Sequence, residues 1–356
     1  MATAKEDAAA AAMTAQQLGS MSLDGSTETK DNGTETTQKN EAPVKFCSAC
    51  GKKSNTLKKC TACKCVWYCD RDCQSDHRKE HKTECKLIKK ELDKRGSKLV
   101  LGTELDVGPL GEVPPREECP ICMQVLPIHE KLHAYNTCCG KILCGGCDFQ
   151  HQIKSEGWPT CAFCRSKIPR SDEKKLMLLR KRVDSTDPNA LCTLAMSYGD
   201  GYYGLPVDEA KCIDLLRQSA DLGCPSAQFN LGNFYNDGEM GLQQNEEEAI
   251  KYFKEAAEGG HVLARNHLGC IEVNRGSRNR DIIAAMRHWR SSASGGYSLA
   301  MGRLIVCFEP GLLHHGDLAE TLQAFYRARA EMKSKDREQF IEYLKRTGEY
   351  ETGYDS

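Results

Sequence analysis

Apolar and polar positions divide the 356-residue chain into three stretches. Residues 1–44 are rich in Ala, Thr, Ser, Glu, Asn and Gly and have almost no bulky apolar side chains. Burial there cannot offset chain entropy, so a disordered tail is expected. From 188 to 332 apolar residues follow a long period. Ala190, Ala227, Ala264 and Ala300 stand 37, 37 and 36 residues apart, and Leu194, Leu231, Leu268 and Leu304 keep step four residues later. Ala220, Ala257, Ala293 and Ala330 mark a second helix in each unit, with Gly223, Gly260 and Gly296 as stops. This self-similarity predicts helix pairs stacked into an all-α solenoid whose concave face binds another protein.

Between tail and repeats lies a stretch poor in apolar residues and rich in cysteine. Sixteen of the 21 cysteines fall between Cys47 and Cys164, most of them in spaced pairs. Two residues between thiols let both sulfurs turn toward one metal, and repeated pairs of this kind mark tetrahedral zinc sites. Disulfides need an oxidising compartment. Residues 1–45 carry no charged segment followed by an apolar run, and no stretch reaches 18 apolar residues, so neither a secretory signal nor a membrane span is expected. The expected location is cytoplasmic and/or nuclear, where thiols stay reduced.

Residues 47–85 follow the pattern C-x2-C-x9-C-x2-C-x5-C-x3-C-x7-H-x3-C. This resembles the MYND-type zinc finger along its whole length. The resemblance implies interleaved ligand sets, Cys47, Cys50, Cys69 and Cys73 for one zinc and Cys60, Cys63, His81 and Cys85 for the other. His81 is preferred to His77 because its spacing to Cys85 fits, and Gln74 is the implied peptide contact. Cys65 is a ninth thiol, expected to be a buried small residue. A helix over 77–98 carries nine Lys and Arg residues mixed with acids. It reads as a solvated face beside anionic zinc centres, and without interleaved aromatics nucleic acid is not an expected partner.

Cys119-Pro120-Ile121-Cys122 and Cys161-Ala162-Phe163-Cys164-Arg165 look like the two ends of a RING-type finger. Lys141 stands where that family usually has His, and an ammonium cannot ligate zinc, so an all-cysteine variant is expected. Cys119, Cys122, Cys144 and Cys147 form one site; Cys161, Cys164, Cys138 and Cys139 form the other, with His133 or His151 as alternative donors. Four zinc ions, two per finger, would add about −7 to a formal charge of −1. The resemblance implies docking of a ubiquitin-conjugating enzyme through Ile121, an apolar patch of Trp158 and Phe163, and Arg165. Catalysis of that kind works by orientation, so no catalytic residue is assigned.

Ala227-Gln228-Phe229-Asn230-Leu231-Gly232 and its neighbours look like Sel-one-like repeats, relatives of the tetratricopeptide family. Cys192, Cys212, Cys224, Cys270 and Cys307 lie among them at no metal spacing and are expected to be small fillers. Asn266-His267-x2-Cys270 only loosely resembles a methyltransferase run and is discounted. The expected fold is multidomain, two small zinc-stabilised cross-brace fingers followed by the solenoid. The expected boundaries are a tail at 1–44, a MYND-type finger with basic helix at 45–98 and a linker at 99–117. A RING-like finger at 118–170, a connecting helix at 171–187, repeats at 188–332 and a C-terminal helix and tail at 333–356 complete the order. Two functions fit this order. One is a RING-type ubiquitin-protein transferase that holds protein substrates on the repeats; the other is a non-enzymatic adaptor linking partner proteins or peptides.

Overall fold

The computed structural model describes residues 45–54, 56–96, 106–108, 110, 116–155, 158–275 and 279–350. The expected tail at 1–44, most of the linker and the last six residues lie outside them. Among the described residues the first strands, β1 (Lys58–Lys59) and β2 (Trp67–Tyr68), precede α1 (Arg71–Gly96). Then come β3 (His133–Asn136), β4 (Lys141–Cys144), α2 (Gly145–Lys154) and α3 (Asp172–Asp184). The repeats contribute α4 (Pro188–Asp200), α5 (Glu209–Asp221), α6 (Pro225–Asp237) and α7 (Glu246–Glu258). They are followed by α8 (Val262–Asn274), α9 (Asn279–Ser294), α10 (Ser298–Phe308), α11 (His315–Met332) and α12 (Lys335–Thr347). No helix of the described residues is long and apolar enough to cross a membrane.

Contacts group the chain into two units, neither continuous in sequence. One comprises residues 1–110, 269–294 and 299–330; the other comprises 111–268, 295–298 and 331–356. In the first unit β1 and β2 pair antiparallel, Lys58 opposite Tyr68. Helix α1 starts six residues before the expected position, because Asp70 caps it by accepting the Cys73 N–H at 2.8 Å. Its described span runs to Gly96. Helices α9 and α11 enclose Arg290, which is 1% exposed. Its guanidinium meets Glu320 at 2.8 Å and Asp317 at 3.2 Å, and donates to the Thr321 hydroxyl and the Gly108 carbonyl. A charge buried that deeply is tolerated because each donor direction finds an acceptor.

In the second unit, α3 packs Leu176 and Leu179 into the same core as Leu194, Leu216 and Leu231 of the first two repeats. Leu179, Leu216 and Leu231 have no exposed surface, and such a side chain stabilises the fold by about 1.5–3 kcal/mol. Ser171 occupies the N-cap position of α3, but its hydroxyl makes no capping bond. The repeat helices are better capped. Asp187 accepts from Asn189 and Ala190 with Pro188 following, and Asn245 accepts from Glu247 and Glu248. Small residues let paired helices approach. A Cβ on Gly232 would lie 2.6 Å from the Phe253 ring in this unit, and one on Gly269, 37 residues on, would lie 2.5 Å from Trp289 in the other. Cys192, Cys212, Cys224 and Cys307 are buried, as expected of fillers.

Candidate metal centres

Four of the five C-x2-C pairs fold into the same knuckle, the exception being Cys144 and Cys147 at the start of α2. The N–H of the residue after the second cysteine donates to the carbonyl of the first, at 2.8–3.1 Å for Gly51, Lys64, Met123 and Arg165. These four residues all have left-handed backbones, with φ of 72°, 56°, 57° and 63°. Glycine adopts that conformation freely; the other three carry a steric cost. The first cysteine's N–H closes the loop on the carbonyl five residues later at Lys52, Gln124 and Ser166, but six later at Val66. Cys65 is the extra residue, and it is fully buried with its thiol 3.2 Å from His315 Nε2.

The knuckles gather sixteen ligand atoms into four groups of four, each within 4.8 Å of one another. Cys47, Cys50, Cys69 and Cys73 form the first, and Cys60, Cys63, His81 and Cys85 the second. Cys119, Cys122, Cys144 and Cys147 form the third, and Cys138, Cys139, Cys161 and Cys164 the fourth. All 21 thiols are free. Sulfurs stand 3.7 Å apart for Cys50–Cys69 and Cys60–Cys85, and 3.9 Å for Cys122–Cys144 and Cys139–Cys161. Four thiolates at about 2.3 Å from one ion would be about 3.8 Å apart, so the residues fit tetrahedral zinc. His133 and His151 stay outside. His133 Nε2 donates to the Pro127 carbonyl, and His151 Nε2 pairs with the Thr160 hydroxyl at 2.9 Å.

In the first finger His81 Nε2 lies 3.2 Å from Cys63 Sγ, while its Nδ1 faces Glu84 Oε2 at 3.3 Å and the Tyr326 hydroxyl at 3.2 Å. Tyr326 in turn donates to Glu84. A carboxylate behind a ligating imidazole fixes its tautomer and raises its basicity, a further mark of a metal site. His77 instead pairs through Nδ1 with the Tyr68 hydroxyl. Without metal these groups hold protons. Burial pushes the Cys69 and Cys85 thiols up to about 11 and about 12, with neighbouring thiolates adding to the shift. Burial alone would lower His81, but Cys60, Cys63 and Glu84 outweigh it and raise it to about 11.

In the second finger β3 and β4 form a hairpin whose turn presents Cys138 and Cys139. Gly140, at φ 70°, leaves room there for Asp187, which also accepts from the Tyr135 hydroxyl at 2.8 Å. Arg182 of α3 donates to the carbonyls of Thr137 and Cys138. Cys144 occupies the N-cap position of α2 without a capping bond, and Cys147 lies in its first turn near the positive end of the helix dipole. Arg337 of α12 is 4% exposed and reaches Cys122 Sγ at 3.5 Å and the carbonyls of Val125 and Met332 at 2.7 Å. Helix α12 sits on the bare backbone of Gly145 and Gly146, where a Cβ would collide with Phe340 and with the Arg337 main chain. Arg182, Arg337, Glu84 and Tyr326 escaped the sequence reading. Nothing local marks Arg182, Arg337 or Tyr326, since Arg337 and Cys122 are 215 residues apart, whereas Glu84 stands on the same helix as His81 among other acids of α1.

Leu126, Leu143 and Ala162 fill the interior of the second finger. Ile121, Trp158 and Phe163 remain 42%, 46% and 42% exposed. The Arg165 guanidinium donates to His151 Nδ1 at 3.1 Å. Gln74 is exposed on α1 and lines a cavity beside the second ligand group.

The family model for the MYND finger matches residues 47–85, and that for the Sel1 repeat matches 188–224, 225–261 and 263–297. A Sel1 repeat protein of Oxalobacter formigenes is 30% identical, the match covering 37% of this chain and 97% of that one, with a TM-score of 0.34. The chain carries Sel1 repeats and a MYND finger. A protective antigen of uropathogenic Escherichia coli strains displaying an SLR fold is 21% identical, covers 53% of this chain and 40% of that one, and has a TM-score of 0.40. Among curated proteins, histone-lysine N-methyltransferase ASHR1 of Arabidopsis thaliana is 46% identical over 57 residues, 16% of this chain and 12% of that protein. Histone-lysine N-methyltransferase Smyd1 of Mus musculus is 48% identical over 44 residues, 12% of this chain and 9% of that protein. The chain thus spans about a tenth of these relatives, and no methyltransferase activity carries over. MYND finger and Sel1 repeats make the chain a protein-interaction scaffold.

Proposed function

We propose that this scaffold acts as a RING-type ubiquitin ligase held together by four zinc ions, working in the cytoplasm and/or nucleus. The second finger docks a ubiquitin-conjugating enzyme, and the Sel1 repeats hold the substrate protein. The observation that supports docking is the exposure of Ile121, Trp158 and Phe163 while other residues fill the interior. Large apolar side chains left in water on rigid metal-bound loops suit a partner surface. The finger's part is to orient a loaded thioester toward a lysine, a gain in proximity rather than covalent chemistry.

A second reading, a non-enzymatic adaptor, is favoured by the engagement of Arg165 with His151, which occupies the guanidinium the ligase would offer to its partner. Autoubiquitination with a panel of conjugating enzymes separates the two. The ligase reading expects chain formation that Ile121→Ala and Arg165→Ala each reduce at least tenfold with zinc content unchanged. Silence across the panel rejects it in favour of the adaptor.

A further inference from the structure

A cavity of about 230 Å³ lies beside the Cys60, Cys63, His81 and Cys85 group. Its floor is Tyr68, which is 3% exposed with its hydroxyl held by His77, and one wall is the Thr61–Ala62 tip of the knuckle. Along the other side, α1 contributes Gln74, Arg78, Lys82, Lys86 and Lys89. Their spacing of four, four, four and three residues places them on one stripe of the helix. All four cationic side chains are exposed, and no carboxylate is among the residues lining the cavity. Glu84, the nearby acid on α1, is turned onto Tyr326 and His81.

We propose that this groove is a docking site for an acidic peptide, an extended segment rich in Asp and Glu. The inference deepens the scaffold reading above, and it stands apart from the ligase test because peptide capture needs no conjugating enzyme. Three thiolates and an imidazole around a divalent ion leave about −1 at the floor. Four cations at the rim outweigh that charge, so the groove keeps a positive field instead of a balanced one. From Gln74 to Lys89 the stripe runs about 22 Å, at about 1.5 Å of rise per residue. An extended peptide of about seven residues covers the same length. Nucleic acid suits the groove less, because its aromatic rings, Tyr68 and His81, are buried and offer no face on which a base can stack.

Fluorescence anisotropy on the full-length, zinc-loaded protein tests the proposal with three labelled probes. They are an Asp/Glu-rich peptide of about seven residues, its Asn/Gln counterpart, and a single-stranded DNA of matched charge. The acidic peptide is expected to bind at least about tenfold tighter than the amide peptide and to weaken as salt rises. Lys82→Glu with Lys86→Glu should cost at least about tenfold, whereas the same charge change at Lys52 and Lys58, exposed but outside the groove, should cost less than about twofold. Should the groove pair fail to load zinc, Lys82→Gln with Lys86→Gln serves instead, with an expected loss of about threefold or more. Equal binding of acidic and amide peptides, tighter binding of the DNA, or equal losses from groove and control pairs would each overturn the proposal.

Discussion

The two cysteine-rich fingers fold by the same knuckles but are supported in opposite ways. The MYND finger includes one imidazole among its ligands and backs it with a carboxylate and a phenol, Glu84 and Tyr326. The second finger uses sulfur alone and is met by guanidinium groups, Arg337 against Cys122 Sγ and Arg182 against the Cys138 loop. Charge explains the contrast. Two all-thiolate centres carry about −2 each when loaded with a divalent ion, against about −1 for the centre with an imidazole. The more anionic finger needs cations nearby. The less anionic one can place an acid directly behind its ligand.

Removing a ligand is the most severe way to break this comparison. Cys60→Ala in the MYND finger or Cys144→Ala in the second should each remove one zinc equivalent by elemental analysis and unfold that finger, because one structural zinc is worth about 10–16 kcal/mol. The other finger should keep its metal. Arg337→Met comes next. It exposes the thiolates and carbonyls that the guanidinium serves and should destabilise the second finger by about 3 kcal/mol in denaturant titration, with the MYND finger unaffected. Glu84→Gln should act in the opposite place, lowering zinc affinity at the His81 centre about 10–100-fold in a chelator competition.

The pH dependence sharpens the same contrast. In the metal-free MYND finger, the Cys69, Cys85 and His81 sites hold protons well above neutral pH, so zinc must displace them. Affinity should rise as pH rises toward those values and fall as pH drops, with protons released into a weak buffer on loading. The smallest effect concerns the knuckle turns. Met123→Gly removes the cost of a left-handed side-chain residue and should stabilise the second finger by about 1 kcal/mol, a gain unavailable at Gly51.

Much of this was legible from residues close in sequence. Cysteine spacing marked the ligand pairs, the MYND resemblance implied how two sets interleave, and the Ala and Leu period placed the helix pairs. Around the fourth group the β3–β4 turn brings Cys138 and Cys139 to Cys161 and Cys164, while His133 and His151 bond elsewhere. Supports drawn from afar stayed hidden. Tyr326 meets His81 across 245 residues, and no periodicity encodes such a meeting. Helix α1 starts ahead of residue 77 because Asp70, between Cys69 and Cys73, caps it there.

The seat of α12 on Gly145 and Gly146 has a consequence for how the protein is made. On a ribosome the second finger emerges, and its thiols meet metal, long before Arg337 has been synthesised. The nascent finger must therefore survive in an unfinished form, anionic and bare on one helix, until translation of α12 supplies its counter-charge. Helix α12 thus acts as a closing clasp, and a chain stopped just short of it would carry every ligand yet lack the piece that holds them shut.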